Sequence, residues 1–277
     1  MPNQAAKPIP YVLVNNLIKE FSPKENILLE DYIRTYRKWI ENGPHNIVGL
    51  NEYTSASFIH GTIQCFDHFY LKFSNKRFRI QRGEFMYHRA SLRNMNWEYL
   101  DSPLEKGDAL IISCPFSDTG RTPENLDMLL KQCDQLEIPV LLDLAYLPLS
   151  KGTTINVEYK CIDSICTSLS KAFDGAQYLR TGIRFQRCNL DDGIDIFNSV
   201  NMIPKYDIEV AHFLMKNFPI DYLWRKFNKE YSELCKKFEL EETDCIIFGT
   251  TKSEKYKAFN RGNDWNRVCL ADDLGEV

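Results

Sequence analysis

No cysteine pair in this chain stands at the two-residue spacing of a metal knuckle or a redox motif. The nine cysteines, at 65, 114, 133, 161, 166, 188, 235, 245 and 269, are scattered and odd in number. With no secretory leader in view, that pattern predicts reduced thiols and a cytoplasmic setting. Several, such as Cys133 and Cys166, fall at apolar positions as small hydrophobes. Histidine is scarce too: the five, at 45, 60, 68, 88 and 212, form no HExxH pattern, so no metal site is expected. Neither sign of charge dominates. Against 34 Lys and Arg stand 38 Asp and Glu, a net charge of −4, which argues against a nucleic-acid or anionic-membrane partner. Long apolar runs are missing as well. The stretch YVLVNNLI near the start is too short and too polar to span a membrane or serve as a signal peptide. There is no internal repeat and no low-complexity segment.

What is present suits one large domain, or one with a small appendage: 44% hydrophobic and 26% charged residues are enough to build a core. Residues 24–42 carry Ile27, Leu28, Tyr32, Ile33, Tyr36 and Ile40 at helical spacing. ASFI (56–59) predicts a strand, and the helix after His60-Gly61-Thr62 carries Ile63, Phe66, Phe69, Tyr70 and Phe73. From Phe78 onward short apolar runs alternate with helical periodicity. DALIIS, IPVLLDLAY, CIDSICTSLS and TGIRFQ read as strands, with a helix between the first two capped by Thr122 and opened by Pro123. That alternation predicts an α/β fold with a mostly parallel central sheet covered by helices on both faces. After about 190, KYDIEVAHFLMKNF and DYLWRKFNKEYSELCKKF form an amphipathic helix pair. DCIIFGT and NRVCLA then predict strands of a reduced α+β small domain. The expected division is an N-terminal segment and helix (1–44), a large cofactor-binding domain (45–200) and a small C-terminal domain (201–277).

One stretch demands a chemical reading. In SLSKAFDGAQYLR, Lys171 ends an apolar strand, with Ser168 and Ser170 before it and Arg180 nine residues after. Ligands of open α/β sheets gather at the carboxyl ends of strands, and Ser117, Asp143 and Tyr146 fall at such ends here. A helix starting at Gly61-Thr62 offers free N–H groups to a phosphate, and Arg180 can add a bidentate charge. A lysine, a buried aspartate and a phosphate cradle at one sheet edge are the parts of a pyridoxal phosphate site.

These motifs resemble the aspartate aminotransferase superfamily, the fold-type I pyridoxal phosphate enzymes. Within it they are similar to class I/II aminotransferases of the histidinol-phosphate type. SLSKAF-x-G-x(4)-R-x-G matches the cofactor-lysine signature, DLAY matches D-x-A-Y, and CPFSDTG stands where the family has N-P-x-N-P-T-G. The resemblance is strong over residues 45–186. It implies that Lys171 forms the Schiff base with the cofactor and shuttles the substrate proton. It also implies that Asp143 pairs with the pyridine nitrogen and that Tyr146 and Ser117 bond the ring hydroxyl. Gly61, Thr62, the backbone of Ile63, Ser168, Ser170 and Arg180 would hold the phosphate. Phe85 would stack on the ring, with Tyr87 a competitor, and Arg267 would grip the substrate carboxylate. Each has a plainer alternative: a turn hydroxyl for the serines, core packing for Phe85, a surface strand-edge arginine for Arg267.

The chain departs from that pattern where Ser117 replaces asparagine, at Arg180, one residue farther from the lysine than usual, and in shorter ends. The activity implied is transfer of an amino group between an amino acid and a 2-keto acid. Decarboxylase, lyase or racemase chemistry, or a non-catalytic relative acting as a binding protein, are the alternatives. A homodimer is implied, with Tyr11 or Tyr32 as candidate donors to the partner's site.

Overall fold

The computed structural model describes residues 5–23 and 26–275. The chain opens with helices α1 (Val12–Lys19) and α2 (Leu29–Glu41), then strands β1 (Asn46–Val48) and β2 (Ser55–Ile59). Helix α3 (Thr62–Lys72), β3 (Arg77–Ile80), α4 (Met86–Ser91), β4 (Trp97–Tyr99) and β5 (Asp108–Ser113) follow. Next come α5 (Leu126–Leu136), β6 (Val140–Asp143), β7 (Thr154–Asn156), β8 (Ile162–Ser168) and β9 (Gly182–Gln186). Three helices, α6 (Gly193–Ser199), α7 (Lys205–Asn217) and α8 (Tyr222–Phe238), lead to β10 (Glu241–Glu242), β11 (Phe248–Thr251) and β12 (Asn266–Cys269).

Seven strands form one sheet in the order β2-β9-β8-β6-β5-β3-β4. All its pairs are parallel except those of β9, which runs against both β2 and β8. The reason is local: no crossover helix separates β8 from β9, so the chain turns back at the same edge. The central strands β5 and β6 are buried along their whole length because helices cover both faces. Alternate residues divide between two cores. Leu110, Ile112, Val140 and Leu142 join one core with Val14, Tyr36, Leu130, Leu214 and Leu223 from α1, α2, α5, α7 and α8. Ala109, Ile111, Leu141 and Cys166 join the other with Phe66 and Phe69 of α3. Strand β8 breaks this alternation, since Ile162 and Ile165 lie in the same core although three residues apart. The β6–β8 register shifts there: Val140 faces Ile162 but Leu141 faces Ser164, a bulge that absorbs Asp163.

Several expectations need adjustment. Helix α2 begins at Leu29, after an N-cap at Leu28, whereas residues 24 and 25 lie outside the described residues. Helix α5 begins at Leu126 with Asn125 at its N-cap rather than Thr122. The Thr122 N–H is taken by Asp244 (3.1 Å), and the Pro123 carbonyl accepts from Leu126 N (3.1 Å), a turn that precedes the helix. Strand β6 stops at Asp143 because the Ala145 N–H folds back onto its carboxylate (3.0 Å) and Leu147–Leu149 make a 3-10 turn. The stretch around Val12 is a helix in its own right, burying Val14 and Ile18. Tyr32 is unsuited to reach a partner molecule: it is fully buried, and its hydroxyl donates to the Gly182 carbonyl at 2.9 Å. The stretches DCIIFGT and NRVCLA supply β11 and β12, which pair antiparallel as two strands of the small sheet; its third strand, β10, lies before them and was not expected. Among the described residues no helix is long and apolar enough to cross a membrane.

Candidate active site

Because β5, β6 and β8 run parallel, their carboxyl ends meet at one edge, where Ser113, Asp143 and Cys166 stand side by side across the ladders. The next tier comes from Ser168, the last residue of β8, and from the chain leaving each strand: Ser117 after β5, Tyr146 after β6, and Ser170 and Lys171 after β8. A cleft of about 830 Å³ opens over this edge, within the usual size of a small-molecule site. Glu84, Phe85, Ser117, Tyr146, Lys171 and Arg267 are among its lining residues.

The Lys171 ammonium lies 5.0 Å from the centre of the Tyr146 ring, on the electron-rich face that attracts a cation. Tyr146 is held in turn against Phe248, edge to face at 5.2 Å. Asp143 sits beneath them, 4% exposed. Burial raises its carboxyl to about 6, an effect opposed by the positive charge of Lys171 and by the Ala145 N–H. The Cys166 thiol lies 3.9 Å from Asp143 Oδ1. Asp143 faces the α3 side of the sheet, the parity of Leu141.

The residues expected to hold the phosphate come together a short way off, Gly61 against Arg180 and Ser168 beside Gly182 in the β8–β9 ladder. Gly61 is the N-cap of α3, with φ +75° and no side-chain cap, so the first N–H groups of the helix point outward. A Cβ at residue 61 would come within 2.6 Å of Arg180 Nη2 and force the guanidinium aside, and the backbone φ of +75° further favours glycine at this helix end. Arg180, itself at φ +54°, donates to the His60 carbonyl (3.4 Å). Ser168 and Ser170 are buried and share a hydrogen bond of 2.9 Å, two hydroxyls aligned on the same turn. Two hydroxyls, a guanidinium and a helix N-terminus fit a phosphate monoester. The side chain of Ile63 packs toward the α3 core, leaving only its backbone for the site.

Phe85 lines the cleft but is 39% exposed and lies parallel to Tyr87, ring centres 6.0 Å apart. Arg267 is buried rather than a surface arginine. Its guanidinium lies 4.2 Å from the Phe248 ring centre, and Nη1 donates to the Ser117 carbonyl. The same carbonyl accepts from Arg261 Nη1 (3.0 Å), while Arg261 Nη2 reaches the Glu84 carbonyl (3.0 Å). Arg261 and Glu84 are site residues that sequence reading missed. Arg261 comes from a polar loop that carries no motif; Glu84 stood beside Phe85 in the stretch RGEFMYH.

Comparison with known proteins follows this geometry. The family model described as aminotransferase class I and II matches residues 66–214. No curated protein matches the sequence. The fold is similar to that of a pyridoxal phosphate-bound putative aminotransferase from Clostridium difficile 630 (14% identity, TM-score 0.68, covering 97% of this chain and 87% of that one). It is also similar to an aminotransferase from Helicobacter pylori 26695 (14%, 0.69, 96% and 87%). A third likeness is the pyridoxal phosphate-bound C-S lyase from Staphylococcus hominis (13%, 0.68, 97% and 86%). At these identities the solved structures establish the fold.

Proposed function

Since the chain belongs to the class I and II aminotransferase family, we propose that it binds pyridoxal 5′-phosphate in the cleft above β5, β6 and β8. With it, the protein would move an amino group between an amino acid and a 2-keto acid. The observation that carries this reading is the convergence of Lys171, Tyr146 and Ser117 on one cleft, with the Lys171 charge acting on the buried carboxylate of Asp143 at the end of β6. The cofactor supplies an aldehyde that takes the amino group and a ring that draws electron density from the substrate Cα.

The protein's own groups do the rest. Lys171 Nζ holds the cofactor covalently between turnovers and then moves the proton taken from the substrate Cα. The Asp143 carboxylate keeps a proton on the ring nitrogen. Burial alone would favour its neutral form, so a cationic partner at that place restores its charge. The Tyr146 and Ser117 hydroxyls bond the ring oxygen. Arg180, Ser168, Ser170 and the N–H groups following Gly61 hold the phosphate, and Phe85 covers the ring. Arg267, presented by β12, takes the substrate carboxylate bidentately.

The resemblance of the motifs implies the histidinol-phosphate type within the family and a homodimer, and the order of elements along the chain suggests the division into segments 1–44, 45–200 and 201–277. Because the same fold carries a C-S lyase in Staphylococcus hominis, product identity belongs in the test. Purified protein is mixed with pyridoxal phosphate, reduced with borohydride and digested. The cofactor mass is expected on the peptide containing Lys171 and nowhere else. The loaded protein is then given single amino acids, with and without 2-keto acids. Keto acid products that form in proportion to a new amino acid support transamination. Label on another lysine, or ammonia and pyruvate without an acceptor, would overturn it.

A further inference from the structure

The row of side chains at the sheet edge continues past Asp143 to a second carboxyl. Glu84 follows the turn after β3; its carboxylate Oε1 accepts from the Ser113 N–H (2.7 Å) and hydroxyl (2.8 Å). Oε2 accepts from the same hydroxyl (2.9 Å) and from the Phe85 N–H (3.2 Å). Ser113 is the register partner of Asp143, so a single strand separates the two carboxyls. Glu84 is buried yet lines the cleft.

The charged and titratable groups around Glu84 are few. Asp143 faces it from β6, Tyr70 from α3 and Cys114 from the end of β5, and Arg261 approaches from the loop before β12. The Arg261 guanidinium is spent on the Glu84 backbone carbonyl, on Ser117 and on the buried Asp118 carboxylate, 3.7 Å from its Nε, and Asp118 itself packs against Gly83 beside Glu84. Tyr70 is engaged with His88 Nδ1 at 2.6 Å. Among the described residues the carboxyl therefore has neutral donors but no ion pair with a cation, and two ionised carboxylates one strand apart would repel in a medium of low polarity. Lys171 favours ionisation of Asp143. Glu84 is left as the member that keeps a proton, and burial with the charge of Asp143 pushes it up to about 7.

We propose that Glu84 is a positioning residue that acts through Asp143. It is the protonated partner of a carboxyl pair across Ser113, and its ionisation places a second negative charge beside the carboxylate that serves the cofactor ring nitrogen. This rests on the proposed function and extends it to a residue no motif marks. When Glu84 gives its proton to solvent, Asp143 is held more strongly to a protonated ring nitrogen, and the spectrum of the bound cofactor changes.

The test is a pH titration of the absorbance of the protein loaded with pyridoxal phosphate. Glu84→Gln preserves the acceptor for the Ser113 N–H and a donor for its hydroxyl, and beyond the charge it gives up only the bond accepted from the Phe85 N–H. Wild-type protein is expected to show a spectral transition centred near 7 that E84Q lacks, while Glu84→Asp keeps a transition moved along the pH axis. Should E84Q fail to fold, Ser113→Ala serves instead. Removing a donor that favours the ionised form should carry the transition upward by about one pH unit. A purely structural Glu84 would leave the position of the transition unchanged in whichever variant folds, and that result overturns the inference. If wild-type protein takes up cofactor yet E84Q keeps the wild-type profile, this inference alone falls. A wild-type protein that takes up no cofactor overturns the proposed function together with it.

Discussion

Lys171 approaches the rest of the site through an aromatic ring: its ammonium lies 5.0 Å from the centre of Tyr146 and, among the described residues, forms no ion pair with a carboxylate. A lysine held by a ring face stays mobile enough to be both nucleophile and base. Lys171→Ala should abolish covalent cofactor attachment and lower kcat by at least about 10⁴-fold, the upper range for loss of an acid–base group. Borohydride labelling and single-turnover absorbance would check both. Tyr146→Phe keeps the ring face, so labelling should persist while kcat falls about tenfold to a hundredfold with the lost hydroxyl bond.

The phosphate cradle makes a separate demand. Arg180→Ala removes a charge-assisted bond, and Gly61→Ala places a methyl 2.6 Å from Arg180 Nη2 at a backbone φ of +75°. Each should weaken cofactor retention about tenfold to a hundredfold. Equilibrium dialysis against free pyridoxal phosphate measures this. Retention unchanged in both variants would remove Gly61 and Arg180 from the site.

Arg267 predicts a split between kinetic constants. Arg267→Lys preserves charge but loses the planar fork, so KM for the amino donor should rise about thirtyfold or more while cofactor affinity stays put. Steady-state kinetics with one fixed keto acid reads both values. Equal KM in the two proteins would place the substrate carboxylate elsewhere.

The two buried carboxyls give the cofactor-free protein a pH dependence of definite sign. Both have folded values raised above their ordinary ones, Asp143 from 3.8 to about 6 and Glu84 from 4.5 to about 7. The folded state therefore binds more protons than the unfolded one between those limits, and stability falls as pH rises through that window. The Asp143 contribution is on the order of 3 kcal/mol. Melting temperature of the apoprotein should fall between about pH 4 and 7, with the fall reduced in Asp143→Asn. An apoprotein whose stability rises over that span would contradict the placement of both groups.

The parts of the site that could be read from residues alone are those built by neighbours in sequence. Lys171, Ser168, Ser170 and Arg180 lie within thirteen residues of one another, and Asp143 and Tyr146 flank a single turn, so their order carries their geometry. The same holds for the sheet, whose strands announce themselves as apolar runs. Arg261 was illegible because its role depends on a carbonyl 144 residues away. The start of α5 was misplaced because the chain after Thr122 first makes a turn, the Leu126 N–H donating to the Pro123 carbonyl (3.1 Å), and the helix then begins behind Asn125. Phe85 drew attention as an aromatic, yet its neighbour Glu84 is the residue turned under the cleft.

The extra residue accommodated at Asp163 has an effect well beyond its own strand. Had the pairing of Val140 with Ile162 continued unshifted, Asp143 would stand opposite Ile165, and the turn bearing the reactive amine would start a full residue, about 3.3 Å, farther along. The reach from amine to carboxylate is thus set by an offset between hydrogen-bonded backbones rather than by a pliable loop. Backbone offsets of that kind yield far less to thermal motion than side-chain torsions do, so the register sets where the chain carrying Lys171 leaves the sheet relative to Asp143, while the amine at the end of its side chain keeps its freedom to swing.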